Sequence, residues 1–177
     1  MDYFYYFSGK NYHFIHESAD IQSAVAQTIR AAFEYSGQKC SACSRLYVPD
    51  SIWSKFKQEL LSVHSQLKLS SPLEFDTFLT AVIDDPAFER ISNYISQTQG
   101  SNELQLLAGG KCDKSKGYYI EPTIIQTSNP NHVFMNEEIF GPVLTVFVYQ
   151  SKHLNQALQL ANNHEFGLTG AIFAQDK

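Results

Sequence analysis

The sequence predicts an α/β fold: three layers, αβα, around a mostly parallel sheet. Three observations predict it. Apolar residues recur at helical spacing in four separate stretches, short runs rich in β-branched and aromatic residues stand between them, and one such run, Val143–Tyr149, is apolar almost throughout. A strand buried on both faces reads that way, and strands alternating with helices of about ten residues or more build βαβ units.

Tyr12–His16 reads as a short strand. Ile21, Val25, Ile29 and Phe33 then recur at every fourth position, one face of a helix, with Ser18 or Asp20 as N-cap and Gly37 as its end. Leu46–Val48 is a short strand closed by Pro49. Asp50 or Ser51 caps a second helix, whose apolar face is Ile52, Phe56, Leu60, Val63 and Leu67. Asp85-Pro86, a cap followed by a first-turn proline, opens a third helix with Phe88, Ile91 and Ile95. Leu104–Leu107 runs as a strand into the turn at Ala108-Gly109-Gly110, and Tyr119–Ile125 is another strand. After Val143–Tyr149 a fourth helix, Lys152–Asn163, presents Leu154, Leu158 and Ala161, and Thr169–Phe173 is the last strand.

Composition narrows the function classes. The chain has 177 residues, 44% apolar, enough for one domain with a buried core; 18% charged is too few for a disordered chain or a coiled coil. Thirteen Lys and Arg against eighteen Asp and Glu leave a net charge of −5, so nucleic acid is not the expected partner. No apolar run approaches the roughly eighteen residues of a membrane span, so no membrane partner is expected either. Three cysteines argue against a secreted disulfide framework and for a reducing compartment. The aromatic start, Met1-Asp2-Tyr3-Phe4-Tyr5-Tyr6-Phe7, has neither the regions of a signal peptide nor the pattern of a transit peptide, and the chain stops directly after an apolar stretch. Both ends read as cuts through a longer protein.

Chemistry concentrates in three places. Phe33 to Arg45 joins a helix end to a strand, where loops of α/β proteins carry function. Within it Cys40 follows Gly37-Gln38, and the neighbouring Lys39 would favour a reactive thiolate; the competing reading is a small buried hydrophobe. Cys40 and Cys43 also spell C-x-x-C, but the redox form of that motif opens a helix after a strand, and a zinc site needs two more ligands, with His13-x-x-His16 the one other close pair. Glu137-Glu138-Ile139-Phe140-Gly141-Pro142 places carboxylates beside a ring and a Gly-Pro turn at a strand's mouth; a solvated acidic loop explains it as well. In Gly167-Leu168-Thr169-Gly170-Ala171 two glycines allow close backbone approach to a ligand, or simply make a tight turn. Gly9-Lys10-Asn11 is the weakest feature: neither G-x-x-x-x-G-K nor G-x-G-x-x-G occurs in the chain.

Taken in order, these pieces resemble the aldehyde dehydrogenase family. Its F-x-x-x-G-Q-x-C motif stands as Phe33 to Cys40, its E-x-F-G-P as Glu138 to Pro142, and its late glycine turn as Gly167 to Ala171. Gly9-Lys10-Asn11-Tyr12-His13-Phe14, Gln38 to Pro49, Ala81-Val82-Ile83-Asp84 and Leu107 to Cys112 look like the mitochondrial branch that oxidises glutamate semialdehyde, the 1-pyrroline-5-carboxylate dehydrogenases. The resemblance implies NAD-dependent oxidation of L-glutamate γ-semialdehyde to L-glutamate in proline catabolism, in the mitochondrial matrix, by a homo-oligomer acting on a small-molecule aldehyde. It places the nucleophile at Cys40, a substrate-carboxylate clamp at Ser41 and the backbone of Gly170 and Ala171, and the nicotinamide end of NAD at Glu138 and Phe140, with no metal.

The same resemblance sets residues 8–177 as the catalytic thiol domain, incomplete, residues 1–7 as a stretch outside the family, and the NAD-binding domain before residue 1. Tyr6 stands where the family carries the glutamate that serves as general base, and a phenol with a pKa of about 10 is a poor base at neutral pH. Most of the NAD site then lies outside the chain, and the isolated polypeptide is expected not to turn over. The alternative from a different class is a non-catalytic remnant or interaction module of this family.

Overall fold

The computed structural model describes residues 9–176, so Tyr6 and the aromatic stretch at 1–7 lie outside the described residues. The elements run β1 (Asn11–Ile15), α1 (Ile21–Phe33), β2 (Cys43–Pro49), α2 (Asp50–His64), α3 (Asp85–Ser96), β3 (Leu104–Ala108), β4 (Cys112–Asp113), β5 (Tyr119–Ile120), β6 (Thr123–Thr127), α4 (Val133–Asn136), β7 (Val143–Tyr149), α5 (Leu154–Asn162) and β8 (Gly170–Phe173). Six strands form one sheet in the order β3-β6-β7-β2-β1-β8. Every neighbouring pair is parallel except β3 with β6, while β4 and β5 make a separate small hairpin.

The pleat sorts side chains onto two faces. Ile15, Leu46, Val48, Ile124, Leu144 and Val146 meet Val25, Ile29 and Phe33 of α1 and Phe56 and Leu60 of α2. On the other face Phe14, Tyr47 and Tyr149 meet Ala157 and Ala161 of α5, and Ile125 and Val143 meet Phe88, Ile91 and Ile95 of α3. Phe56 and Leu60 are wholly buried, each stabilising the fold by about 1.5–3 kcal/mol. β7 lies inside the sheet with helices on both sides, which is why its sequence lacks polar alternation. The expected three-layer α/β architecture is the observed one.

Several boundaries differ from the sequence reading, each for a local reason. α1 stops at Phe33 rather than Gly37, because Tyr35 and Ser36 take left-handed backbone angles, φ 55° and 57°, ahead of Gly37 at 66°. Its cap is Asp20, whose carboxylate accepts from the Ser23 N–H at 2.8 Å. α2 ends at His64, short of Leu67, and has no side-chain cap: Asp50 instead accepts from the N–H and the hydroxyl of Ser151 at 2.9 and 2.7 Å, tying the start of α2 to the approach of α5. α3 is capped by Asp84, which accepts from the Ala87 N–H at 2.9 Å, leaving Asp85 as the first helical residue. The expected strand Tyr119–Ile125 divides at Pro122, which has no N–H for a ladder. There the His64 imidazole sits 2.6 Å from the Pro122 carbonyl, β5 turns to β4, and β6 joins the main sheet.

Candidate active site

Four loops enter β1, β2, β7 and β8 at their N-terminal ends. These strands are consecutive in the sheet and parallel, so the four entries share one edge. That topology brings together residues up to 158 positions apart, as in the Thr169–Asn11 hydrogen bond.

The cysteine loop is built residue by residue. Phe33 is buried in the core and anchors the end of α1. Ser36 donates its hydroxyl to the Thr80 carbonyl at 2.6 Å, and Gln38 accepts from the Ile83 N–H at 2.9 Å, which fixes the left-handed stretch between them. Gly37 has positive φ, and a Cβ there would collide with the Gly141 carbonyl oxygen, so glycine is required twice over. The Ala42 N–H then donates to the Lys39 carbonyl at 3.0 Å, closing a turn with Cys40 and Ser41 at its tip. Both side chains are exposed. Cys43, three residues on, is buried, and burial pushes its thiol up to about 12. The Lys39 ammonium lies 3.5 Å from Glu34 and over the Tyr35 ring.

The acidic loop meets this turn from the β7 side. The Gly9 N–H donates to one carboxylate oxygen of Glu138 at 2.9 Å, and the second oxygen has no hydrogen bond among the described residues. Glu137 takes the Tyr94 hydroxyl, and Arg90 donates to the Ile139 carbonyl, so the segment is pinned to α3. Phe140 holds φ 52°, a strained angle for a bulky residue, and its ring is 39% exposed. Gly9, Gly37, Lys39, Glu138, Phe140 and Gly141 line one narrow crevice beside the Cys40 turn.

The third motif closes the edge. Gly170 and Ala171 open β8, paired with Tyr12 and His13 of β1, and Gly170 lies against the Tyr12 ring. β8 is an edge strand, so alternate N–H groups face away from the sheet. The Thr169 hydroxyl donates to the Ser41 carbonyl at 3.3 Å, joining this turn to the cysteine turn directly. Cys40, Ser41, Glu138, Phe140, Gly170 and Ala171 therefore belong to one edge of the molecule.

Sequence reasoning undervalued Gly9-Lys10-Asn11, which lies at the centre of that edge. A Cβ on Gly9 would collide with the Cys40 carbonyl oxygen. Lys10 is completely buried, its ammonium has no hydrogen-bond partner among the described residues, and burial first, then Arg45, lowers its pKa to about 7. Arg45 is also buried, donating to the Lys10 carbonyl at 2.8 Å between the rings of Tyr12 and Tyr47. The available signal was the polar Lys-Asn pair at the start of an apolar strand.

Two roomier clefts lie elsewhere. One, about 430 Å³, runs between Leu69–Glu74 and the β4–β5 hairpin; the other, about 510 Å³, opens at the C-terminal ends of β6 and β7. Neither holds a cysteine or an unpartnered buried group, so volume alone is a poor guide here. Among the described residues no group of three or more His, Cys, Asp or Glu gathers as a metal site requires, and no helix is long and apolar enough to cross a membrane.

Comparison with known proteins points to one family. The model of the aldehyde dehydrogenase family matches residues 5–177. The chain is 56% identical over 171 residues to the mitochondrial delta-1-pyrroline-5-carboxylate dehydrogenase of Danio rerio, covering 96% of the chain and 31% of that protein. Its identity to the Homo sapiens protein of the same name is 53%, covering 96% and 30%. The fold superposes on 1-pyrroline-5-carboxylate dehydrogenase from Thermus with bound NAD at a TM-score of 0.88, with 32% identity over 96% of this chain and 32% of that one. For gamma-glutamyl-gamma-aminobutyraldehyde dehydrogenase from Burkholderia cenocepacia the TM-score is 0.89, with 30% identity over 96% and 34%. The chain spans about a third of the length of the curated relatives it matches. With its family motifs gathered at one sheet edge and the family match running over nearly all of its length, this chain belongs to the aldehyde dehydrogenase family.

Proposed function

We propose that this chain supplies the thiol half of an NAD-dependent dehydrogenase that oxidises L-glutamate γ-semialdehyde to L-glutamate in proline breakdown, with Cys40 as the nucleophile. The observation that carries the reading is the meeting of the exposed Cys40-Ser41 turn, Glu138 and the start of β8 at one edge. The relatives named delta-1-pyrroline-5-carboxylate dehydrogenase support the substrate, and their mitochondrial designation supports the mitochondrial matrix as the compartment. A homo-oligomer is part of the same proposal.

The Cys40 thiolate attacks the aldehyde carbon, forming a C–S bond and a thiohemiacetal whose oxygen carries the displaced charge. The exposed turn tip leaves room for this attack. Ser41 and the backbone of Gly170 and Ala171 hold the carboxylate at the other end of the substrate, so the aldehyde carbon is set over the sulfur. The second Glu138 oxygen, without a hydrogen bond among the described residues, suits a ribose hydroxyl and the exposed Phe140 ring suits a flat heterocycle, so these residues fit the nicotinamide end of NAD. When bound, NAD supplies the hydride acceptor. Water then releases the acyl group from Cys40 as the carboxylate.

NADH formation from glutamate semialdehyde by the protein that contains this chain is the test. Cys40→Ser abolishes it and Cys43→Ser leaves most of it; turnover that survives Cys40→Ser overturns the assignment. A module without turnover is the second reading, carried by Tyr6 at the family's glutamate position. It predicts no NADH even with Cys40 intact.

A further inference from the structure

We propose that Asn11 is a positioning residue that sets the span between the Cys40 turn and the Gly170-Ala171 clamp, and so matches the site to aldehydes bearing a carboxylate at a fixed distance. The inference rests on the proposed roles of Cys40 and the clamp. Asn11 is the first residue of β1, the strand that lies between β2 and β8. Its side chain is buried, and it serves both neighbours at once. The amide nitrogen donates to the Cys40 carbonyl at 2.7 Å and to the Ala42 carbonyl at 3.0 Å, gripping the cysteine turn on both sides of Ser41. The amide oxygen accepts from the Thr169 N–H at 2.7 Å, one residue before the clamp.

Of the twenty residue types, a neutral primary amide is the group that donates twice and accepts once at this reach. The Asn11 amide itself is buried, so its nitrogen and oxygen have no water to turn to when a bond is unmet. The ladder register between β1 and β2 shifts between Asn11 and Tyr12, so the backbone alone does not fix the spacing at this point. The side chain does. Ser44 donates to the Asn11 carbonyl at 3.4 Å and Thr169 to the Ser41 carbonyl, closing a ring of contacts around one amide.

Two variants separate this role from general support. Asn11→Ala removes all three bonds, whereas Asn11→Asp keeps the acceptor for Thr169 and loses both donors with almost no change of volume. Hydrogen exchange on the 177-residue protein should quicken about tenfold in both 38–43 and 166–171 for Asn11→Ala, and only in 38–43 for Asn11→Asp. The second measurement is protection of Cys40 from iodoacetamide by 5-oxopentanoate or by pentanal. Each adds reversibly to the thiol: an S–C bond forms and the thiol hydrogen ends on the former carbonyl oxygen. The unsubstituted protein should prefer 5-oxopentanoate about tenfold, and Asn11→Ala should bring that ratio to about one. No preference in the unsubstituted protein overturns the clamp reading and this inference with it. A preference that survives Asn11→Ala, or exchange that quickens equally through β2 and β7 in Asn11→Asp, overturns the positioning role alone.

Discussion

The backbone N–H of Gly9 donates to the Glu138 carboxylate at 2.9 Å, across 129 positions of sequence, while the same glycine packs against the Cys40 carbonyl. One residue thus touches both the thiol loop and the acidic loop. Gly9→Ala forces a Cβ into the Cys40 carbonyl and moves the donor away from Glu138. Stability in urea should fall by about 2 kcal/mol or more. An unchanged midpoint would show that the two loops can part freely.

The two cysteines of the C-x-x-C stretch should behave as different chemical groups. Cys40 is exposed at a turn tip, and the buried Cys43 thiol is held up at about 12. At neutral pH iodoacetamide should label Cys40 in the native protein and reach Cys43 only after unfolding. Mass spectrometry of the labelled peptides checks this, and native labelling of Cys43 would contradict its burial.

Lys10 gives stability a measurable pH dependence. Its pKa is about 7 in the folded chain against 10.5 when exposed, so between those values the unfolded chain holds the extra proton. Stability therefore rises with pH through that window, by about 1.4 kcal/mol per unit from this group. Lys10→Met should be the more stable protein at pH 7, and the gap should narrow by pH 9. Urea denaturation of both proteins at several pH values checks the sign; a constant difference would mean that folding does not lower the Lys10 pKa.

His13 acts at the acid end. Burial lowers its pKa from 6.5 to about 4, and its Nδ1 sits 2.9 Å from the Thr28 hydroxyl. The folded chain keeps the ring neutral while the unfolded chain takes a proton, so stability falls as pH drops from 6.5 to 4, again by about 1.4 kcal/mol per unit. His13→Gln should flatten that part of the profile. Thermal melts of the two proteins across the window are the measurement, and parallel curves would remove His13 from the account.

NAD binding by the 177-residue polypeptide should be weak. Glu138 and Phe140 suit one ribose and one ring, which amounts to about 1–3 kcal/mol against the roughly 8 kcal/mol of micromolar affinity. Calorimetry on the purified chain decides it, and a micromolar dissociation constant would place much more of the dinucleotide site within these residues.

Much of this molecule was legible in its sequence, because the informative signals were local. The four-residue spacing of Val25, Ile29 and Phe33 marks a helix face wherever that helix docks, and the apolar run of β7 states its own burial. The motifs around Cys40, Glu138 and Gly170 identified the family for the same reason: each is a short stretch whose residues serve one turn. What the chain could not state locally was which turns become neighbours. Strand order β7-β2-β1-β8 decided that, and it placed Gly9 and Asn11, modest residues in a modest tripeptide, between all three motifs. The left-handed Tyr35-Ser36 pair and the break at Pro122 were set in the same way, by partners such as Thr80 and His64 that lie 44 and 58 positions away. Hydrogen bonds and steric contacts act over a few ångströms in space. Their partners become readable only once the sheet has chosen its order.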